Sequence, residues 1–243
     1  MTSFDALPWL ARIFLPAWVL VMISVPILKW RWGSGAERAG IVLGVLLQAA
    51  TVLAILVAAW GVVSTLRAAC IVIGLGWGVE YAGSHTGWPF GRYHYTSRLQ
   101  PQVGGVPLLI PLAWLMMLPP AWAVAQAIAG PLGLGFIAVA ALAFTAWDLF
   151  LDPQMVAWGF WTWDQPGGYF GIPWLNFGGW LLASAVMTAA VAPAPLPSAP
   201  LCLVYGITWG LQAFGQFFFW KLRGPALAGF VAMGVWLVWA LVA

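Results

Sequence analysis

Eight apolar runs divide this sequence almost from end to end. They are Phe14–Leu28, Ala39–Trp60, Ala68–Ser84, Val106–Ala129, Leu132–Leu151, Trp174–Ala192, Leu201–Trp220 and Pro225–Val242. A helix needs about 20 apolar residues to cross the hydrocarbon of a bilayer. Backbone N–H and C=O groups find no water there, so a spanning segment bonds within itself as a helix or with its neighbours in a closed barrel. Most of these runs are far longer than the roughly 9–11 residues of a barrel strand. The expected fold is therefore all-α: a polytopic transmembrane helical bundle of about eight spans, in one integral membrane domain over residues 1–243. The first run is short for a full crossing and is expected to tilt or to start near Trp9. No small-residue cleavage site precedes Lys29-Trp30-Arg31, which argues against a secretory signal.

Charge supports this class. Only 6% of the residues are charged and 63% are hydrophobic, too few charges to cover a soluble domain. The net charge of +3 comes from basic residues scattered through the loops, so it is no nucleic-acid footprint. Cys70 and Cys202 both lie inside apolar runs and suggest no disulfide framework. Basic residues also set orientation, because cytoplasmic loops carry the excess of Lys and Arg. Alternate loops hold Lys29, Arg31, Arg38, Arg92, Arg98, Lys221 and Arg223, against Arg12 and Arg67 on the other side. Both termini are thus expected outside a prokaryotic cytoplasmic membrane, with the loops after the third and fifth runs in the cytoplasm.

Those two loops follow one pattern. Each unit opens on an acid late in an apolar run, passes through an aromatic, Gly-rich loop, and reaches Gly105-Val106-Pro107 or Gly171-Ile172-Pro173. Trp114 and Trp180 each stand seven residues after the proline. The pattern reads as an internal parallel helix-loop-helix repeat, with units of about 74–129 and 132–192. Four of the six acidic residues belong to it: Glu80, Asp148, Asp152 and Asp164. Carboxylates at membrane depth are costly and mark functional positions.

Asp148 and Asp152 are four residues apart, which puts them on one helical face, with Pro153 expected to end that helix. Two carboxylates so placed in a low dielectric do not both ionise easily, so the pair is expected to hold a proton as a general acid. Glu80 is expected to face the bundle interior; the alternative is an ion pair with Arg92 or Arg98. His85 and Asp164 are candidates at the mouth of the site, and Asn176 requires a partner if buried. Trp77, Tyr81, Tyr93, Tyr95, Trp147, Trp161, Trp163 and Trp180 surround the acids in sequence, and their ring faces suit a cation or a flat apolar ligand. No metal-ligand spacing, Ser-His-Asp frame or phosphate-binding glycine motif stands out.

Three blocks together resemble the carotenoid biosynthesis membrane protein family, of the carotenoid 1′,2′-hydratase and bisanhydrobacterioruberin hydratase type. The first runs from Gly78-Val-Glu80-Tyr-Ala-Gly-Ser-His-Thr-Gly87 through Pro89-Phe-Gly-Arg-Tyr-His-Tyr95. The second is Gly105-Val-Pro-Leu-Leu-Ile-Pro111. The third runs from Trp147-Asp-Leu-Phe-Leu-Asp-Pro153 through Trp161-Thr-Trp163 and Tyr169-Phe-Gly-Ile-Pro173 to Asn176-Phe-Gly-Gly-Trp180. The likeness implies a membrane enzyme acting on the end group of an acyclic carotenoid. Its expected partners are that carotenoid, water, membrane lipid and other carotenoid-pathway enzymes.

The residues fit such chemistry without a metal or other cofactor. Hydration needs an acid to protonate the less substituted alkene carbon, a site that stabilises a tertiary cation, and a base that accepts the proton of water. The Asp pair, the aromatic faces and Glu80 or the second Asp supply these parts. An end-group cyclase would use the same protonation but exclude water. A proton-coupled transporter would need an aqueous path, against which the few polar residues in the second, fourth, seventh and eighth runs argue. A non-catalytic carotenoid-binding subunit would hold pigment without turnover.

Overall fold

The computed structural model describes residues 7–243. Its helices are α1 (Trp9–Thr86), α2 (Leu109–Ala129), α3 (Leu134–Ala157), α4 (Trp174–Val191), α5 (Ser198–Phe214) and α6 (Arg223–Val242). A π-helical turn, Gly215–Phe219, continues α5. Four short strands lie in the loops: β1 (Tyr93–Tyr95), β2 (Gln102–Val103), β3 (Val106–Pro107) and β4 (Trp161–Trp163). Among the described residues, six helices are long and apolar enough to cross a membrane, with the π turn counted as part of α5.

α1 is not one rod. At 78 residues a straight helix would be roughly 117 Å long, about four times the hydrocarbon thickness. Gly33 (φ 80°, ψ −171°) and Gly61 (φ 76°, ψ 168°) leave helical geometry, in a region of φ that a side chain resists. The chain folds back at Gly33: a methyl group on Gly40 would stand 2.8 Å from Leu28 Cδ1, and one on Gly44 2.5 Å from Met22 Sδ. It folds back again at Gly61. Gln48 and Glu80 are 32 residues apart, roughly 48 Å along a helix, yet they bond to Met117 and Trp114, neighbours on one turn of α2. Residues 9–32, 34–60 and 62–86 therefore form three arms, the first laid against the second and the second and third against α2.

Two local expectations are corrected. The fourth apolar run was expected to be helical from Val106, but α2 starts at Leu109. Val106 and Pro107 form β3 and pair with β2, Gln102↔Pro107 and Val103↔Val106. Pro153 does not end its helix: α3 continues to Ala157. Proline deprives the carbonyl four residues earlier of its N–H donor. Here that carbonyl belongs to Leu149, and the hydroxyl of Tyr169 donates to it at 2.9 Å. The fault is repaired from outside the helix, so the helix runs on.

Candidate functional site

The loops after α1 and α3 meet as an antiparallel pair, β1 against β4, with Tyr93↔Trp163, His94↔Thr162 and Tyr95↔Trp161 in register. Alternation along a strand puts Tyr93, Tyr95, Trp161 and Trp163 on one face. That face looks onto the acids of the helices. His94 and Thr162 take the other face, where His94 Nδ1 lies 3.2 Å from Asp164 Oδ1 in an exposed pair.

Glu80 and Asp152 are each held by donors from this aromatic face and from one helix, whereas Asp148 is held from a helix alone. The Glu80 carboxylate Oε2 accepts the hydroxyls of Tyr93 and Tyr95, the latter at 2.6 Å, and Oε1 accepts Trp114 Nε1–H at 2.9 Å. Asp152 Oδ1 accepts Trp161 Nε1–H at 2.6 Å and Trp163 Nε1–H at 3.2 Å. Asn176 Nδ2 donates to Oδ2 of both Asp152 and Asp148, each at 2.7 Å. The helical spacing of the two aspartates does bring them together, but an amide nitrogen stands between them. Asp148 Oδ1 and Trp147 Nε1 are buried with no protein partner. The three carboxyls are almost wholly enclosed: Glu80 is 5% exposed, Asp152 2% and Asp148 0%.

A cavity of about 290 Å³ opens beside them, near the lower end of the roughly 300–1,000 Å³ of small-molecule sites. Glu80, Asp152 and Asn176 line one end of it, with Tyr93 and Tyr95. Eight indoles line it, among them Trp114, Trp147, Trp161, Trp163 and Trp180, and no Lys or Arg among the described residues does. Trp180 stacks on Trp114 and meets Trp147 edge to face at 6.0 Å. Burial raises the Tyr93 and Tyr95 hydroxyls well above the ordinary phenol range, and the neighbouring Glu80 charge adds to the shift. Both therefore stay protonated donors at any physiological pH.

Other expected site residues stand elsewhere. Trp77, Tyr81 and His85 stack in a row along α1, with centroids 5.2 and 4.1 Å apart, and none lines the cavity. Trp77 Nε1–H donates to Val103 O, so this row braces the β2–β3 hairpin. Arg92 is exposed and gives only its backbone carbonyl to Asp164 N–H. Arg98 donates to Trp158 O at 2.5 Å. Neither arginine pairs with Glu80, so the ion-pair alternative for that acid is not realised.

The profile of the family described as carotenoid biosynthesis protein matches residues 40–201, two thirds of the sequence. The chain belongs to that family. Over 118 residues it is 34% identical to the bisanhydrobacterioruberin hydratase of Haloarcula japonica, a match covering 45% of this chain and 39% of that protein. The chain thus matches well under half of that relative's length. No solved structure matches it.

In this carotenoid biosynthesis protein the matched stretch holds Glu80, Asp148, Asp152 and Asn176. It also holds Trp114, which the sequence marks by its motif position but not as a ligand of Glu80. A second group was missed altogether. Gln48, Gln154, Thr208 and Gln212 line the cavity from α1, α3 and α5. Their signal was plain enough: a polar side chain inside an apolar run, few in number but facing inward. Two glycines of the family blocks also acquire a reason. A Cβ on Gly83 would lie 2.7 Å from Phe90 Cδ2, and one on Gly179 2.5 Å from Phe90 Cδ1. Both positions leave room for Phe90 to seat the loop that carries β1.

Proposed function

We propose that this protein is a carotenoid hydratase, adding water across the terminal C1′–C2′ double bond of an acyclic carotenoid end group. Two carboxyls, Glu80 and Asp152, facing an indole-walled cavity that no Lys or Arg lines, with Asp148 behind Asn176, carry the reading. A proton held within the Asp148–Asn176–Asp152 group is delivered by Asp152, which borders the cavity, to the less substituted alkene carbon. The π bond breaks and leaves a tertiary cation, which the surrounding indole faces stabilise. Water oxygen bonds to the cationic tertiary carbon, and Glu80 accepts the proton that the water releases. Tyr93 and Tyr95 hold Glu80 in place through their hydroxyls. The family membership and the hydratase relative support the substrate class. The cavity is the size of an end group, and the rest of the polyene would extend into lipid.

The same reading extends to topology. The three arms of α1 and the five later helices would make eight crossings, with the β1–β4 loops on the cytoplasmic side and both termini outside. Segments 74–129 and 132–192 would be two copies of one unit within a single domain. Their loops pair strand to strand, and their seventh residues after Gly-Val/Ile-Pro, Trp114 and Trp180, stack. These contacts support a duplication around one cavity.

The deciding experiment supplies an acyclic carotenoid to the protein in liposomes made up in heavy-oxygen water. A tertiary alcohol carrying the label is expected. An isomeric product without oxygen would identify a cyclase instead, and unchanged pigment would overturn catalysis.

A further inference from the structure

An apolar cavity at membrane depth must be supplied with water if a cation inside it is to be captured. Besides the acids, α5 presents a polar stripe to the same cavity. Thr208 and Gln212 are four residues apart on one helical face, and Gln216 follows in the π turn. Gln216 is bound at the stripe's lower end: its Nε2 donates to Gln154 Oε1 at 3.1 Å, to Gln212 Oε1 at 3.2 Å and to Phe150 O at 2.8 Å. At the upper end Gln48 Nε2 donates to Thr208 Oγ1 at 3.1 Å, and Met117 Sδ lies 3.2 Å away.

These bonds use half of each amide. Gln48 Oε1, Gln154 Nε2 and Gln212 Nε2 have no protein partner, yet the side chains of Gln48 and Gln154 are only 3% and 2% exposed and line the cavity. Gln48, Gln154 and Gln212 all line the cavity, which is the space open to their unpaired atoms. Gln216 Oε1 is buried without a partner. Leaving an amide group unpaired in an apolar setting is costly, and a water with two to four polar neighbours removes that cost. The stripe begins at Gln216, five residues before the exposed Lys221, and ends at Gln48 beside Met117, one turn of α2 from the Trp114 that holds Glu80. The π turn that closes α5 carries Gln216, which is fully buried.

We propose that Gln48, Gln154, Thr208, Gln212 and Gln216 form a water-binding track that carries water from the Lys221 end of α5 to the cavity. It rests on the hydration reading for its purpose but not for its existence. Occupancy by water is a property of the amides, whatever the cavity transforms.

Two measurements separate the two. Hydroxyl radicals generated from water by an X-ray pulse oxidise side chains beside bound water. Met117 is 0% exposed, as is Met233 on α6, so bulk solvent reaches neither. Met117 is expected to oxidise markedly faster than Met233, and to lose that excess in the Gln48→Leu/Gln212→Leu double variant. Equal rates at the two methionines would overturn the track even in an active hydratase. In deuterated water, the double variant is expected to form alcohol about tenfold more slowly, the rate equivalent of one hydrogen bond to the water. Its recovered carotenoid should still gain deuterium at the end group, because protonation persists and the cation returns by losing a proton. Wild-type alcohol formation in that variant would overturn the track. So would loss of deuterium exchange together with the alcohol, since the amides would then act on protonation. Fast Met117 oxidation in a wild-type protein that forms no alcohol would leave the track standing and overturn the hydration reading.

Discussion

Trp114 and Trp180 stack ring on ring, with centroids 4.7 Å apart and planes inclined by 21°. Both roof the cavity, and Trp114 also donates its indole N–H to Glu80 at 2.9 Å. The stack and the hydrogen bond can be separated by substitution. Trp114→Phe keeps an aromatic ring for the stack and removes the donor. Turnover is expected to fall about tenfold to a hundredfold, in line with a buried carboxylate losing one partner. Initial rates of alcohol formation at saturating pigment check this, and an unchanged rate would separate Glu80 from catalysis.

Asp152 borders the cavity whereas Asp148 lies behind Asn176. Asp152→Asn is therefore expected to abolish measurable turnover, a loss of at least about 10²–10⁴-fold, while pigment still co-purifies. Asp148→Asn removes a group that touches the cavity only through Asn176, so its loss of rate should be smaller. Side-by-side pigment-binding and turnover assays read the order; the reverse order would move the acid to Asp148.

Tyr93 and Tyr95 titrate above the ordinary phenol range because burial and Glu80 disfavour their ionised forms. Folding then binds their protons more tightly than the unfolded chain does. Their contribution to stability is complete below the unfolded phenol value, about 10, and is lost as pH rises above it. Thermal unfolding in detergent should fall steeply in that alkaline window. In Tyr93→Phe and Tyr95→Phe the slope should flatten, and an identical slope would refute the assignment.

Gly179 faces Phe90 and the carbonyl of Pro89, which an added Cβ would approach to 2.5 and 2.8 Å, whereas nothing lies within 4 Å of a Cβ on Gly178. Gly179→Val is expected to destabilise by about 1–3 kcal/mol through overpacking and to loosen the β1 loop. Gly178→Ala should be neutral or slightly stabilising. Melting temperatures of the two variants provide the comparison.

Much of the site was legible because membrane depth makes polar residues conspicuous. An acid in an apolar run, four residues from another, announces a shared face, and Asp148, Asp152, Glu80 and Asn176 indeed converge. Residues flanking the acids were harder to read. Trp77, Tyr81 and His85 share the acids' sequence neighbourhood, but they extend along the other side of α1 because a helix turns about 100° per residue and only part of it faces inward. His94 pairs with Asp164 on the outer face of β1 for the same kind of reason, the period of two in a strand. The glutamines were underweighted because one amide in an apolar run looks isolated until helices from distant parts of the chain bring several together.

The sequence by itself determined the class of structure and the sparse set of residues able to carry charge. Apolar length and the demand for internal backbone bonding left room only for a helical bundle. Tertiary structure alone decided the rest. It turned α1 back at Gly33 and Gly61, set β1 against β4, placed an amide between the two aspartates and aligned the glutamines. None of these is a local preference. Each arises where segments far apart in sequence compete to satisfy buried polar groups, and only the packed bundle determines which partners meet.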